Sequence, residues 1–342
     1  MATKYLAKTF KYGLLKQTNW ATPSAAGAAF KTIPYNAGVT VFDPDVRVDL
    51  HNTSGQSGIH KEKERIYVDA RSGLPKVNFS MPADVKTLTP HLAGALFTVS
   101  EGGGSPYAKT ITSGGLTGTI DFNGNGTELY TIACDDKASA DDGIVLENAI
   151  IENLNLSWDF NANGTARLMQ MSGNWIGNEM NFEQTTNGVW STTTFTPMGN
   201  TEAFTLSTFT VDTISWSTQA IRKFTFNIAN NVTTNASTTA GKANNYDVAP
   251  VYKSTIILDY NDTTEKALKD FQDGANVLLL LTNSLEPSDG AFALTCNGGI
   301  MHKQPFIYNG EFAGIELEVM WYSTAAATPV SIAFTDTIDW DY

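Results

Sequence analysis

The sequence has few of the residues on which most active sites and metal sites depend. Only 2 cysteines and 4 histidines occur among its 342 residues. So few thiols do not suggest a disulfide framework, and we expect Cys134 and Cys296 to be free and buried in a reducing compartment. Nucleophilic catalysis and metal binding both draw on these two residue types. We therefore expect a protein that is not an enzyme and needs no cofactor.

Charged residues and long apolar runs are also scarce. Charged side chains make up 17% of the chain and the formal net charge is −13, which argues against a nucleic-acid clamp. The longest aliphatic run, 277–281, falls far short of the ~20 residues that span a bilayer. The N-terminus has no apolar signal-peptide region. We expect a soluble protein made in a cytoplasm, without a membrane partner.

The N-terminal segment 1–42 contains lysines but no acidic residue, whereas the segment 336–342 is acidic. The segment is either a solvated, frayed terminus or an arm that docks on an acidic neighbouring subunit. The contacts predicted for such an arm are made by Lys4, Tyr5, Lys8, Phe10, Lys11 and Lys16.

Short motifs that resemble catalytic or metal sites are better explained as turns. Asp49, His51 and Ser54 are the residue types of a hydrolase triad, but neighbours at a strand end cannot generally meet in triad geometry. The segments 121–126 and 159–164 resemble the start of a calcium loop, yet neither has the bidentate acid required at the twelfth position. A metal-dependent hydrolase is therefore the weakest of the functions considered.

Two long β-hairpins are the clearest feature of the sequence. In the range 154–160, apolar residues alternate with polar ones, which is the period of a strand with one buried and one wet face. An Asn-Ala-Asn-Gly turn follows, and a second strand covers 168–175. A hairpin of the same form occupies 300–321, in which Trp321 is the counterpart of Trp175.

The hairpins belong to a larger internal repeat. Two earlier strands also align between the copies, 46–50 with 224–228 and 76–81 with 253–258. In each copy a helix follows, beginning at Asp84 or at Asp262, both capping residues. The sequence therefore predicts a mainly β protein of two tandem sandwich- or barrel-forming modules, with one helix per module. The predicted boundaries are 1–42 for the arm and lead-in, 43–180 for the first module, 181–208 for a linker and 209–342 for the second module.

These features resemble those of the tail tube (major tail) proteins of long-tailed bacteriophages, in the variant with two tube modules. The resemblance covers nearly the whole chain. It is carried by the lead-in 14–23, the strand 42–50, the strand and helix in 73–97, and the duplicated hairpins. It implies that each module contributes four strands to a continuous barrel around a channel, with polar side chains facing the channel. The insertion 100–143 departs from the plainest tube module.

The resemblance implies a structural virion protein that self-assembles into stacked rings and forms a conduit for double-stranded DNA ejection. Single-module tubes close as six-fold rings, so two modules per chain imply a homotrimer with pseudo-six-fold walls. The expected lumen is polar and mostly acidic, so that DNA passes without specific binding. Strand parity predicts that the lumen-facing residues are Arg47, Asp49, Asn78, Ser80, Asn155, Ser157, Asp159, Asn227, Glu316 and Glu318.

The polar segment 51–65 is predicted to be the ring-stacking loop, because it is too poor in apolar residues to bury itself. Its predicted contacts are His51, Gln56, His60, Lys61, Glu62, Lys63, Glu64 and Arg65. The other partners that the resemblance implies are a tape-measure protein in the lumen and the tail terminator and distal tail proteins. Assembly is expected in the host bacterial cytoplasm, and the final location is the virion tail.

The alternative function is a carbohydrate-binding or adhesin-like β-protein of a virion or cell surface. Exposed rows of tryptophan at a pocket would favour it, whereas a continuous polar face shared between subunits would favour the tube. Core packing is the expected role of the strand tryptophans, Trp158, Trp175, Trp216 and Trp321.

Overall fold

A computed structural model confirms that the chain is mainly β. It describes residues 11–17, 29–33, 41–43, 51–52, 66–67, 74–83, 85–104, 107–113, 128–135, 144–159, 169–182, 194–197, 208–211, 214–216, 221–236, 243–260, 277–283, 292–308, 312–322 and 328–336. Within these ranges one helix occurs, α1 (Val85–Leu96), and the remaining regular structure is β.

The strands of the N-terminal half are β1 (Lys11–Lys16), β2 (Ala29–Ile33), β3 (Val41–Asp43), β4 (His51–Asn52), β5 (Ile66–Tyr67), β6 (Lys76–Pro82), β7 (Phe97–Gly102), β8 (Tyr107–Ser113), β9 (Tyr130–Asp135), β10 (Ile144–Asp159), β11 (Gln170–Ile176), β12 (Glu179–Phe182) and β13 (Thr194–Pro197). Those of the C-terminal half are β14 (Thr208–Val211), β15 (Ile214–Trp216), β16 (Ile221–Ala229), β17 (Thr233–Ala236), β18 (Ala243–Asp247), β19 (Val251–Asp259), β20 (Val277–Asn283), β21 (Phe292–Tyr308), β22 (Phe312–Trp321) and β23 (Val330–Asp336).

The main sheet is antiparallel and its strand order repeats. Neighbouring strands follow in the order β3–β6–β11–β10–β16–β19–β22–β21. In each half, two strands that are separated in sequence by a short strand pair (β4–β5 or β17–β18) are followed by the second and then the first arm of a long hairpin. Both predicted hairpins are confirmed, with β10 paired to β11 and β21 paired to β22. The division into two modules stays a prediction, but the pairing recurs in the order that the sequence repeat requires.

The two longest strands each belong to two layers. The first part of β10 pairs with β9 and β12, and its second part pairs with β11 and β16. Likewise, the first part of β21 pairs with β20 and β23. The repeated pairing pattern therefore extends beyond the main sheet, because the first parts of β10 and β21 each pair with two further strands.

The insertion in the first half joins the two halves together. The hairpin formed by β7 and β8 adds to the outer side of β23, which lies near the other end of the chain. Lys109 of this hairpin is buried and its ammonium lies 3.4 Å from a carboxylate oxygen of Glu101. The segment thus has a structural role within the chain.

The helix packs on the core through small and aliphatic residues. Leu88, Leu92 and Leu96 are fully buried. A Cβ placed on Gly94 would lie 2.6 Å from the ring of Trp175, so only glycine lets the helix approach that ring. The helix predicted to begin at Asp84 is confirmed over Val85–Leu96, whereas the one predicted at Asp262 lies outside the described residues.

Candidate functional surface

The main sheet has one apolar face and one polar face, and the polar face is the candidate functional surface. Along β10, Leu154, Leu156 and Trp158 are buried, while the residues between them are partly exposed. β16 and β19 alternate in the same way. The buried face packs into the hydrophobic core, so the polar face is the one that can meet solvent or a partner.

Cross-strand pairing aligns polar residues into rows that run from the first half into the second. Asn155 lies opposite Ser172 on one side and opposite Asn227 on the other. The next row consists of Gln170, Ser157, Thr225, Thr255 and Glu318. The face is therefore continuous across the joint between the halves.

The predicted lumen-facing residues that the structure describes all lie on this face. They are Asn78, Ser80, Asn155, Ser157, Asp159, Asn227, Glu316 and Glu318. Arg47 and Asp49 lie outside the described residues. The alternation of side chains along each strand was enough to assign these residues to the polar face, because a register shift of one residue exchanges the two faces of a strand. That the face lines a channel stays a prediction.

Ion pairs neutralise much of the charge on the second half of the face. The guanidinium of Arg222 donates from Nε and Nη2 to the two carboxylate oxygens of Asp259, at 2.6 and 2.8 Å. Lys253 Nζ donates to Glu318 Oε1 at 2.7 Å. Both pairs link adjacent strands, β16 to β19 and β19 to β22.

A polar cluster occupies the equivalent position in the first half, where β10 has a bulge between Ile151 and Asn153. The carboxylate of Glu152 accepts from Lys76 Nζ at 2.8 Å and from Asn174 Nδ2 at 2.6 Å. Asn153 Nδ2 donates to Asn174 Oδ1 at 3.2 Å. The bulge gives Glu152 these partners, since it interrupts the regular alternation of the strand.

The described part of the face carries both positive and negative groups. The cations are Lys76, Arg222, Lys223 and Lys253, and the anions are Asp43, Glu152, Asp159, Asp259, Glu316 and Glu318. The sequence analysis picked out three of these acidic residues and none of the cations, although the parity that selected Asn227 also selects Lys223. Anions outnumber cations on this part of the surface, and a mostly acidic lumen stays a prediction.

Two residues assigned to an external arm belong to the chain's own sheet. Strand β1 lies between β2 and β9, with Tyr12 and Leu14 fully buried. Lys16 Nζ lies 3.6 Å from Glu128 Oε2. Burial raises the pKa of Glu128 to about 7, and the nearby Lys16 opposes this. Lys11 and Lys16 are thus interior sheet positions because their strand carries core residues.

The rest of the predicted arm, Lys4, Tyr5, Lys8 and Phe10, lies outside the described residues. The lead-in contains β2, which pairs with β1 and, in parallel, with β13. The predicted linker 181–208 contributes β13. Strands from both segments therefore pair in the same sheet.

The predicted stacking loop begins and ends in a short antiparallel pair. His51 lies opposite Tyr67, and Asn52 lies opposite Ile66. Strands β4 and β5 are therefore antiparallel, as expected for the two arms of a hairpin. The other predicted contacts of the loop lie outside the described residues.

Other residues considered for metal binding, saccharide binding and disulfides can be placed as follows. No cluster of three or more His, Cys, Asp or Glu side chains suitable for a metal ion occurs in the described ranges. Trp158, Trp175 and Trp321 are buried, as core packing predicts, and the side chain of Trp216 lies outside the described residues. Cys134 and Cys296 are free and buried, as expected.

Comparison with known proteins assigns the chain to no family. No family model matches the chain, and no curated protein matches it. A search of the described residues for a helix long and apolar enough to cross a membrane finds none.

Proposed function

We propose that this chain is a self-assembling structural protein whose main sheet forms the wall of a tube, as in the tail tubes of long-tailed bacteriophages. The observation that carries the proposal is the repeated strand order, in which β10 of the first half pairs edge to edge with β16 of the second. A sheet that repeats along its hydrogen-bonding direction can continue into another copy through the same joint.

The two edges of the sheet support this proposal. Residues 300–308 of β21 pair with β22 on one side and, within the described part of the chain, with no strand on the other. Strand β21 is the counterpart of β10, whose outer side takes β16. In the first half β3 holds the position of β16, because Val41 lies opposite Asn78 as Thr225 lies opposite Thr255. In the proposed ring, β21 of one copy therefore pairs with β3 of the next.

A ring of this kind removes an edge that would otherwise be a liability. A long uncovered edge strand presents unpaired N–H and C=O groups to any other strand. Closure into a ring pairs them all. With two copies of the four-strand unit per chain, three chains give the pseudo-six-fold wall expected for this class.

The polar face suits a wall along which DNA slides. A protein that neutralises several phosphates with Lys or Arg binds DNA tightly and in a salt-dependent way. Here Lys76, Arg222 and Lys253 are each engaged by a carboxylate. The proposed lumen thus offers DNA few uncompensated cations. The proposed partners are a tape-measure protein in the lumen, tail terminator and distal tail proteins, and the proposed location is the virion tail after assembly in the bacterial cytoplasm.

The direct test is electron microscopy of the purified protein. We expect hollow tubes built of three chains per ring, with the hairpins that contain Trp175 and Trp321 both in the channel wall. A chain that stays monomeric under all assembly conditions would contradict the proposal. Six chains per ring, with the hairpin 300–321 outside the wall, would contradict the stoichiometry.

The edge pairing has its own test, a pair of proline variants in β21. Consecutive residues of a strand direct their N–H groups to opposite sides, so one of His302→Pro and Lys303→Pro affects only the uncovered edge. We expect that variant to remain folded and monomeric but to form no tubes, as judged by circular dichroism and microscopy. Normal tubes from both variants would show that this edge is not a subunit joint.

A further inference from the structure

The second half of the chain covers one end of the polar face of the first half. The hairpin of β17 and β18 carries Tyr246, which is fully buried against Phe97, Leu129, Ile150 and Ile176. At its base, the partly buried side chains that pack on the same cluster are Leu74, Val232 and Val248. The hairpin is thus seated on an apolar rim formed by the first half.

Buried hydrogen bonds fix this contact. Tyr246 donates its hydroxyl to the carbonyl oxygen of Asn148 at 2.9 Å. Asn148 has a φ of 54°, and its backbone N–H donates to Gln17 Oε1 at 2.8 Å. The side chain of Gln17 in turn donates to Asn148 Oδ1 at 2.8 Å. These hydrogen bonds make the contact between Tyr246 and the first half specific as well as apolar.

Asn230, which lies between β16 and the β17–β18 hairpin, holds this part of the chain against the first half through hydrogen bonds. Its side-chain Nδ2 donates to the carbonyl of Ala95 at 3.0 Å, near the end of α1, and to that of Ile151 at 2.7 Å. Its backbone N–H donates to the carbonyl of Glu152 at 2.8 Å. One asparagine therefore ties the second half to both the helix and the β10 bulge of the first.

The same rim recurs in the second half, where it is exposed. The alignment of 76–81 with 253–258 makes Val251 the counterpart of Leu74, and the alignment of Trp175 with Trp321 makes Tyr322 the counterpart of Ile176. Val251 is 37% exposed and Tyr322 is 38% exposed, and Met320 on the same face is 47% exposed. These three residues, the Val251–Met320–Tyr322 rim, account for all but one of the exposed large hydrophobic residues among those described.

The counterpart of the seated hairpin also recurs, in the first half. The β17–β18 hairpin lies between the paired strands β16 and β19, and the β4–β5 hairpin lies in the same way between the paired strands β3 and β6. The second strand of the β4–β5 hairpin carries Ile66 and Tyr67. Each chain thus has one rim already covered, one rim exposed, and one hairpin that corresponds to the covering one.

We propose that the β4–β5 hairpin of one copy docks on the Val251–Met320–Tyr322 rim of a second copy, head to tail. The occupant is a second copy because the chain already holds the homologous contact between its own halves. This inference rests on the proposed self-assembly and adds a lateral joint, distinct from the stacking assigned to the loop tip. Burying the rim also removes its apolar side chains from water.

The test is crosslinking between two differently tagged full-length chains. One chain carries Ile66→Cys and the other carries Val251→Cys, and a short bis-maleimide is added after assembly. The native Cys134 and Cys296 are buried, so they leave little background. We expect a crosslinked species with one tag of each kind. The matched control replaces Val251→Cys by Tyr260→Cys, because Tyr260 is 47% exposed at the other end of β19, and no such species is expected.

Microscopy of the same samples separates this inference from the proposed function. Tubes without the Ile66–Val251 crosslink would overturn the docking while leaving the tube intact. Equal crosslinking of the Tyr260→Cys control would also overturn it. A sample with neither tubes nor crosslinks would overturn both proposals.

A second pair of variants measures the contribution of the rim without a crosslinker. Val251→Asp with Tyr322→Asp is expected to raise the concentration needed for assembly about tenfold or more, since two apolar contacts would become charged. Tyr260→Asp should leave that concentration unchanged, and circular dichroism checks that each variant is folded. An unchanged concentration for the folded double variant would contradict the docking.

Discussion

Replacing Trp175 by alanine is expected to lower the free energy of unfolding by about 3–5 kcal/mol. The indole is fully buried. Its ring lies 5.3 Å from the rings of both His91 and Tyr130. Because Gly94 leaves no free volume above it, the surrounding helix and strands cannot collapse readily into the space that the indole leaves. Urea unfolding of the monomer measures the loss.

Two further variants distinguish packing from general damage. Trp175→Phe should cost less than the alanine variant, because it keeps a ring and removes an Nε1 donor that is buried without a hydrogen-bond partner. Met320→Ala, on the exposed side of the second half, should change stability by about 0.5 kcal/mol or less. A loss below about 1 kcal/mol for Trp175→Ala would show that this tryptophan is not the centre of the core.

Acidification is expected to destabilise the protein through His91. The imidazole is fully buried between the rings of Phe79 and Trp175, at centroid distances of 4.6 and 5.3 Å. Its Nδ1 lies 2.7 Å from the carbonyl oxygen of Thr87, and its Nε2 is buried without a partner. Burial lowers the pKa of His91 to about 4, and the bond to the Thr87 carbonyl opposes this only in part.

The direction of the pH effect follows from that shift. The pKa of the folded state lies below the unfolded value of about 6.5, so the unfolded chain binds the proton first. The contribution of neutral His91 to the free energy of unfolding is complete above about pH 6.5 and is lost as the pH falls towards about 4. Between pH 7.5 and pH 4.5 the expected loss is roughly 2–3 kcal/mol.

His91→Phe is the variant that isolates this term, because it keeps an aromatic ring between Phe79 and Trp175. Glu128 makes a comparison with the wild type necessary. Burial raises the pKa of Glu128 to about 7, so its contribution favours the folded state at lower pH and opposes that of His91. We expect the stability difference between the two proteins to change by roughly 2–3 kcal/mol over the same pH range. Parallel pH profiles for the wild type and the variant would contradict the assignment.

Several elements could be predicted from the sequence because their signals are local. Alternation in 154–160 defines both the strand and its wet face, and an Asn-Gly turn places the second arm of the hairpin. The helix after Asp84 follows from its cap and the spacing of Leu88, Leu92 and Leu96. The polar surface was found for the same reason, since parity assigns a face without knowledge of any partner strand.

The ion pairs of that surface could not be found in this way. Lys253 and Glu318 are 65 residues apart, and Lys76 and Glu152 are 76 apart. Parity shows that such residues share a face, but only the cross-strand register shows which of them meet. The sequence analysis did not name Lys76, Arg222 or Lys253, because nothing local in the sequence shows which carboxylate each of them meets.

The sequence by itself determined the strands, the hairpins, the first helix and the repeat, since each depends on residues close together in the chain. The tertiary structure alone decided that β1 is an interior strand, that β8 pairs with β23, and that Tyr246 is seated on the other half. These contacts depend on which edges and apolar rims remain uncovered after the local elements have formed. That is a property of shape in three dimensions, and the order of residues along the chain does not display it.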